Sequence, residues 1–126
     1  MKKIILTPNA PAPIGPYSQA ILVDKTLYVS GQIPVVPSTG EVIIGIEAET
    51  QQVMENLQAI LKEAGMTFDN VVKTTILLSD IGTFAKVNEI YGKFFKNEIA
   101  PARETYQVAH LPKSVNIEIS CVAVKE

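Results

Sequence analysis

Along the first third of the chain, apolar and polar residues alternate in short runs broken by proline and glycine, the pattern of strands separated by loops. Residues 3–6 form a first short candidate strand. The segment Pro8-Asn9-Ala10-Pro11-Ala12-Pro13-Ile14-Gly15-Pro16 holds four prolines and a glycine, which excludes a helix or a central strand and predicts a surface arm or site loop. Two β-rich runs follow, Tyr17 to Val23 and Leu27 to Ile33, and the intervening Asp24-Lys25-Thr26 reads as a hairpin turn. Alternation sets Leu27, Val29 and Ile33 on one face and Tyr28, Ser30 and Gln32 on the other. Gly31, inside that strand, marks a bulge or a close backbone approach.

After a loop over residues 34–45, with a short strand expected at Val42 to Ile44, the period changes. Ile46, Val53, Leu57, Ile60, Leu61 and Ala64 recur at helical spacing, and Gly65 ends the run. The β-branched stretch Val71 to Leu78 predicts a strand. A second amphipathic helix is expected from about Thr83 to Phe95, with Phe84, Val87, Ile90, Tyr91 and Phe94 inward and Lys86, Glu89 and Lys93 outward. Glu104 to Val108 and Asn116 to Val124 close the chain as two strands. The order β-β-β-α-β-α-β-β predicts an α+β fold in one domain, 1–126, with a mixed sheet and both helices on one face. Val122 and Val124 then line an apolar face that a further subunit must cover, so a homo-oligomer is expected.

Composition narrows the function classes. The 126 residues are 47% hydrophobic and 19% charged, enough for a real core. A net charge of −2 offers no broad positive field for nucleic acid. No apolar run is long enough to span a membrane or serve as a signal segment, and the single cysteine, Cys121, fits a reducing compartment, so a cytoplasmic location is expected. There is no phosphate-binding glycine loop, and one histidine with one cysteine is too few for a typical zinc site, so neither a metal nor a nucleotide cofactor is expected. Alternation puts Cys121 with Ile117, Ile119 and Ala123 in the core, and His110 reads as a loop histidine without a role.

Two charged residues carry candidate chemistry. Arg103 is the only arginine, and its planar fork can grip a carboxylate in a way a lysine cannot. The alternative is a surface ion pair with Glu104 or another carboxylate. Glu118 points away from the core face with Ser120 and Val122. A carboxyl among apolar neighbours in a central strand has its pKa raised toward useful acid/base values, whereas on an edge strand it is an ordinary solvated charge. Tyr17 and Ser30 complete a polar set.

Four separated segments, in order, are similar to one family. They are Gly15-Pro16-Tyr17-Ser18-Gln19-Ala20, Val29-Ser30-Gly31-Gln32-Ile33-Pro34, Val87-Asn88-Glu89-Ile90-Tyr91, and Pro101-Ala102-Arg103 running through Leu111-Pro112-Lys113 to Ile117-Glu118-Ile119. Together they resemble the Rid (YjgF-type) reactive-intermediate deaminases over nearly the whole chain. The resemblance implies a chorismate-mutase-like α+β fold, a homotrimer with clefts between neighbouring subunits, and a RidA-like activity. That activity is cofactor-free hydrolysis of 2-imino acids or their enamine tautomers, 2-iminobutanoate and 2-iminopropanoate, to 2-oxo acids and ammonia. It further implies that Arg103 binds the substrate carboxylate and that Glu118 positions or activates water. Tyr17, Ser30, Gly31 and Asn88 would line the opposite wall, with the backbone at Gly31 and near Thr105 helping to hold the ligand.

Thr105 stands where many bacterial members have cysteine, and Glu104 where the family usually has a small residue. Alternation turns Glu104 away from Arg103. Two rival readings remain open at this level: a non-catalytic module sensing 2-oxo acids or amino acids through the same cleft, and an RNA-cleaving translation inhibitor or chaperone, against which the acidic balance and the lone histidine weigh.

Overall fold

The β-branched segment Val71–Leu78 forms a strand with the bounds its pattern predicts, and it lies inside the sheet because both neighbours in space come from the end of the chain. The computed structural model describes residues 1–126. Its elements are β1 (Lys2–Ile5), β2 (Ala20–Val23), β3 (Thr26–Gln32), α1 (Ile46–Glu63), β4 (Val71–Leu78), α2 (Phe84–Tyr91), β5 (Ala102–Gln107) and β6 (Ile117–Val124). All six strands share one mixed sheet in the order β1-β2-β3-β6-β4-β5. The pairs are antiparallel except β4 with β5, whose parallel course requires the crossover that α2 supplies. No helix is long and apolar enough to cross a membrane.

Both helices lie over one sheet face. From α1, Val53, Met54, Leu57, Ile60 and Leu61 meet Leu27, Val29, Ile76, Leu78, Ile117, Ile119, Cys121 and Ala123 from the strands in one continuous core. Truncating a fully buried leucine such as Leu57 to alanine costs about 3 kcal/mol by transfer and cavity terms. Gly65, at φ 75°, ends the helix in the left-handed region that glycine tolerates. Burial alternates strictly along β6, so Glu118, Ser120, Val122 and Val124 point to the face that carries no helix, where Tyr28 is about half exposed.

Four expectations are corrected. The register slips between Val29 and Gln32, where Ser30 and Gly31 together oppose Ser120, forming a bulge. The extra residue turns Gln32 into the core and leaves Ile33 half-buried, the reverse of strict alternation. β2 begins at Ala20 rather than Tyr17, because the buried Gln19 ties the proline-rich arm down: its Oε1 accepts from Thr7 N, and its Nε2 donates to the carbonyls of Thr7, Ala10 and Pro11 at 2.9–3.2 Å. α2 ends at Tyr91, with Gly92–Phe94 in a tighter turn, so that Phe94 and Phe95 pack edge-on against Phe68 at centroid distances of 5.3 and 5.2 Å. The strand expected at Val42 to Ile44 reduces to a single bridge between Val35 and Val42.

One buried carboxylate pins the start of β6. Glu49, in the first turn of α1, accepts from Gly45 N, Asn116 N and Asn116 Nδ2 at 2.8–3.1 Å, and Asn116 Oδ1 accepts from the Ser79 hydroxyl at 2.8 Å. The helix start, the end of β4 and the entry to β6 are thereby joined two residues ahead of Glu118.

Candidate functional site

Arg103 is the second residue of β5, at the sheet edge, and pairs in register with Thr74 of β4. Thr74 is buried on the helix-covered face, so Arg103 projects to that side, toward α2. Its Nη1 donates to Asn88 Oδ1 at 2.7 Å, and its guanidinium carbon lies 5.1 Å from the centroid of Phe84 and 5.0 Å from that of Tyr91. The surface ion pair considered for Arg103 is absent: Glu104 pairs with Lys73 at 2.6 Å and accepts from the Tyr106 hydroxyl on the opposite face. The hydrogen bond from Lys73, then that from Tyr106, holds the Glu104 carboxyl below the usual carboxylate range. Alternation had turned Glu104 away from Arg103, and the structure agrees.

Thr105 pairs with Ile76, on the same side as Arg103. Asn88 was expected on the wall opposite Arg103; instead it is an exposed residue of α2 bonded directly to it, because the crossover lays α2 beside β5. A surface cavity of about 390 Å³ opens beside Arg103, lined among others by Asn88, Tyr91, Phe95, Asn97 and Pro101.

Tyr17, Ser30, Gly31 and Glu118 form a separate group. β6 is an interior strand, so the solvated-edge reading of Glu118 does not apply. Glu118 is half-buried against the backbone of Gly31, and burial pushes its carboxyl above the usual range. A methyl added at Gly31 would lie 2.9 Å from Glu118 Cγ and closer still to the carboxylate, so only glycine leaves room for that side chain. Ser30 donates to Ser18 O at 2.6 Å, and Tyr17, half exposed, stands on the arm that Gln19 anchors. A cavity of about 240 Å³ runs under this arm, lined in part by Pro11, Ile14, Tyr17, Gly31, Ile33 and Lys113.

The two groups lie on opposite sides of the sheet. Arg103 shares the helix side with Thr74, whereas Glu118 pairs with Leu77 on the other side. One chain therefore presents an exposed guanidinium on one face and a half-buried carboxyl with a raised pKa on the other. His110 is exposed with its Nε2 3.4 Å from the Ser114 hydroxyl, and burial pushes the Cys121 thiol up to about 12, which makes it a poor nucleophile. No three His, Cys, Asp or Glu side chains gather as a metal site. The residues that sequence reasoning missed are Phe84, Tyr91 and Thr74 around Arg103, and Gln19 under the arm. The signal for the first set was the spacing of Phe84, Asn88 and Tyr91 along one helix stripe.

Residues 7–125 match the model of the family described as Endoribonuclease L-PSP. The chain is 52% identical over 126 residues to the human 2-iminobutanoate/2-iminopropanoate deaminase, spanning 99% of this chain and 91% of the human one. It is 50% identical over 127 residues to a RutC family protein of Pyrococcus horikoshii, spanning the whole of both. Among solved structures, it superposes on the YjgF gene product of E. coli with a TM-score of 0.93 at 45% identity, covering 98% of this chain and 99% of that one. E. coli TdcF, solved with bound serine, superposes with a TM-score of 0.93 at 40% identity over 98% of this chain and 99% of that one.

Proposed function

This chain belongs to the Endoribonuclease L-PSP family, also called the YjgF or Rid family, and from that membership we propose that it hydrolyses 2-imino acids such as 2-iminobutanoate and 2-iminopropanoate to 2-oxo acids and ammonia. The observation that carries the reading is Arg103, a guanidinium held in place by Asn88 and two aromatic rings yet paired with no carboxylate of its own chain. Such a cation is ready for the carboxylate of a small acid. Relatives named for this deamination at about half identity support the same substrate class.

The reaction asks little of the protein. A protonated imine is already electrophilic, so no metal or organic cofactor is needed to activate it. Arg103 fixes the carboxylate and thereby the position of C2. Glu118, with its raised pKa, orients a water and takes a proton as the oxygen adds to C2. The resulting carbinolamine collapses: the C2–N bond breaks, the carbonyl forms, and the proton returns to the departing nitrogen, so iminium plus water becomes 2-oxo acid plus ammonium. Because Arg103 and Glu118 occupy opposite faces of one sheet, the cleft that joins them is completed by a neighbouring copy, as in a homotrimer with three intersubunit sites. Tyr17, Ser30, Gly31 and the backbone near Thr105 line that cleft.

The test is release of ammonia or 2-oxobutanoate from freshly generated 2-iminobutanoate, without added metal or cofactor, read as the rate above spontaneous decay. Acceleration by the wild type and none by Arg103→Ala is the expected result. A sensor without turnover would bind 2-oxobutanoate and leave the decay rate unchanged, and Glu118→Gln separates the two functions by sparing binding while removing hydrolysis.

A further inference from the structure

Arg103 sits on an edge strand, where a long exposed side chain ordinarily samples many rotamers and loses that freedom on binding an anion. Here it is already fixed. Phe84, Asn88 and Tyr91 fall on one stripe of α2 and offer the guanidinium a ring, an amide oxygen and a second ring, at 5.1, 2.7 and 5.0 Å respectively. Of these, Tyr91 is the buried member, and its hydroxyl is 2.7 Å from the Thr74 hydroxyl. Thr74 is the residue of β4 paired in register with Arg103. The contacts form a closed circuit: the strand beside Arg103 holds the tyrosine, and the tyrosine holds the arginine.

We propose that Tyr91, pegged by Thr74, is a positioning residue that acts through Arg103: it pre-sets the guanidinium at the rim of the cavity between α2 and β5 so that the free edge meets the substrate carboxylate. The inference rests on the reading of Arg103 as the carboxylate-binding group and deepens it. With Nη1 committed to Asn88 and two rings packed about 5 Å from its central carbon, the remaining N–H groups are what the guanidinium has left for one carboxylate.

The experiment measures turnover of 2-iminobutanoate and, separately, binding of 2-oxobutanoate and of its carboxamide by calorimetry. Tyr91→Leu is expected to raise KM, and the dissociation constant for 2-oxobutanoate, about tenfold while kcat stays within about twofold. Tyr91→Phe keeps the ring but drops the peg and falls between the two, at about threefold. In an Arg103→Lys background, which keeps the positive charge but not the planar fork, Tyr91→Leu changes kcat/KM by less than about twofold. Carboxamide binding is unchanged throughout. A structural defect alone would lower kcat, weaken carboxamide binding equally, or persist without Arg103, and any of these overturns the proposal. Should Tyr91→Leu fail to fold, Phe84→Leu, at the partly buried ring, tests the same clamp, and unaltered 2-oxobutanoate binding there and in Tyr91→Phe overturns it. A wild type that binds 2-oxobutanoate without turnover defeats the deaminase reading while leaving the clamp measurable by binding; a wild type that binds no 2-oxo acid defeats both.

Discussion

Gly31 and Glu118 meet across the bulge that joins β3 to β6, with the Glu118 carboxylate occupying the space that any side chain at position 31 would take. Gly31→Ala therefore moves Glu118 rather than merely crowding it. The carboxylate end of the side chain can swing aside, so folding survives, but a misplaced water-orienting group is expected to lower kcat/KM by about a hundredfold. Kinetics together with thermal melts of Gly31→Ala check this. A variant with wild-type kcat/KM would detach Glu118 from catalysis.

The raised pKa of Glu118 has two readouts. Burial lifts the folded-state value above the ordinary 4.5, so the native chain retains a proton that the unfolded chain has released. Below the unfolded value both states are protonated and no penalty exists; stability falls as pH rises through the ordinary value toward the raised one, and the loss is complete above it. Glu118→Gln is thus expected to melt at higher temperature than wild type at pH 8 and at the same temperature at pH 3. In the wild type, hydrolysis should climb over the same window as the base form appears. Matched melts at the two pH values decide the first point, and a pH–rate profile the second.

The placement of Arg103 and Glu118 on opposite faces predicts complementation. Arg103→Ala and Glu118→Gln are each expected to be inactive alone, yet co-refolded as a mixture they should regain activity, because random assortment gives about a quarter of the clefts one intact contributor from each chain. Separately refolded samples mixed on ice form the control. No recovery after co-refolding would place both groups in a cleft made by one chain.

Glu49 faces three donors, Gly45 N, Asn116 N and Asn116 Nδ2, and no acceptor. Glu49→Ala removes the one acceptor that these three part-buried hydrogen bonds share and is expected to cost about 2 kcal/mol in urea unfolding. Glu49→Gln directs an amide donor at one of them and should also destabilise, though by less. A neutral Glu49→Gln would show that the pocket reorganises around an amide.

Much of this architecture could be read along the chain, and its gaps have identifiable causes. β4 is a run of β-branched and apolar residues with polar flanks, and α1 has a helical stripe ended by Gly65, so local chemistry alone defines both. Gln32 defeated alternation because a bulge at Ser30 and Gly31 reverses the faces, and the sequence marks only that Gly31 is unusual, not which way the chain turns. The insertion of β6 between β3 and β4 is set by pairing between residues distant along the chain, which no local pattern encodes. For the same reason Arg103 and Glu118 were legible as chemistry, but Asn88 was assigned to the wrong wall: its contact with Arg103 depends on how α2 crosses from β4 to β5. Tyr91 looked like ordinary core, and its second contact, with a guanidinium at the edge, emerges only once the helix is laid on the strands.

Cys121, buried at the centre of β6 with its thiol pushed up to about 12, is also a built-in clock for the opening of the core. A reagent that consumes thiolates has nothing to react with while the helix layer covers this face of β6, so modification follows only when the core between helices and sheet opens. With reclosing fast relative to chemistry, the labelling rate reports the free energy of that opening under native conditions, without denaturant or an added probe. Ligand that bridges neighbouring copies should slow it.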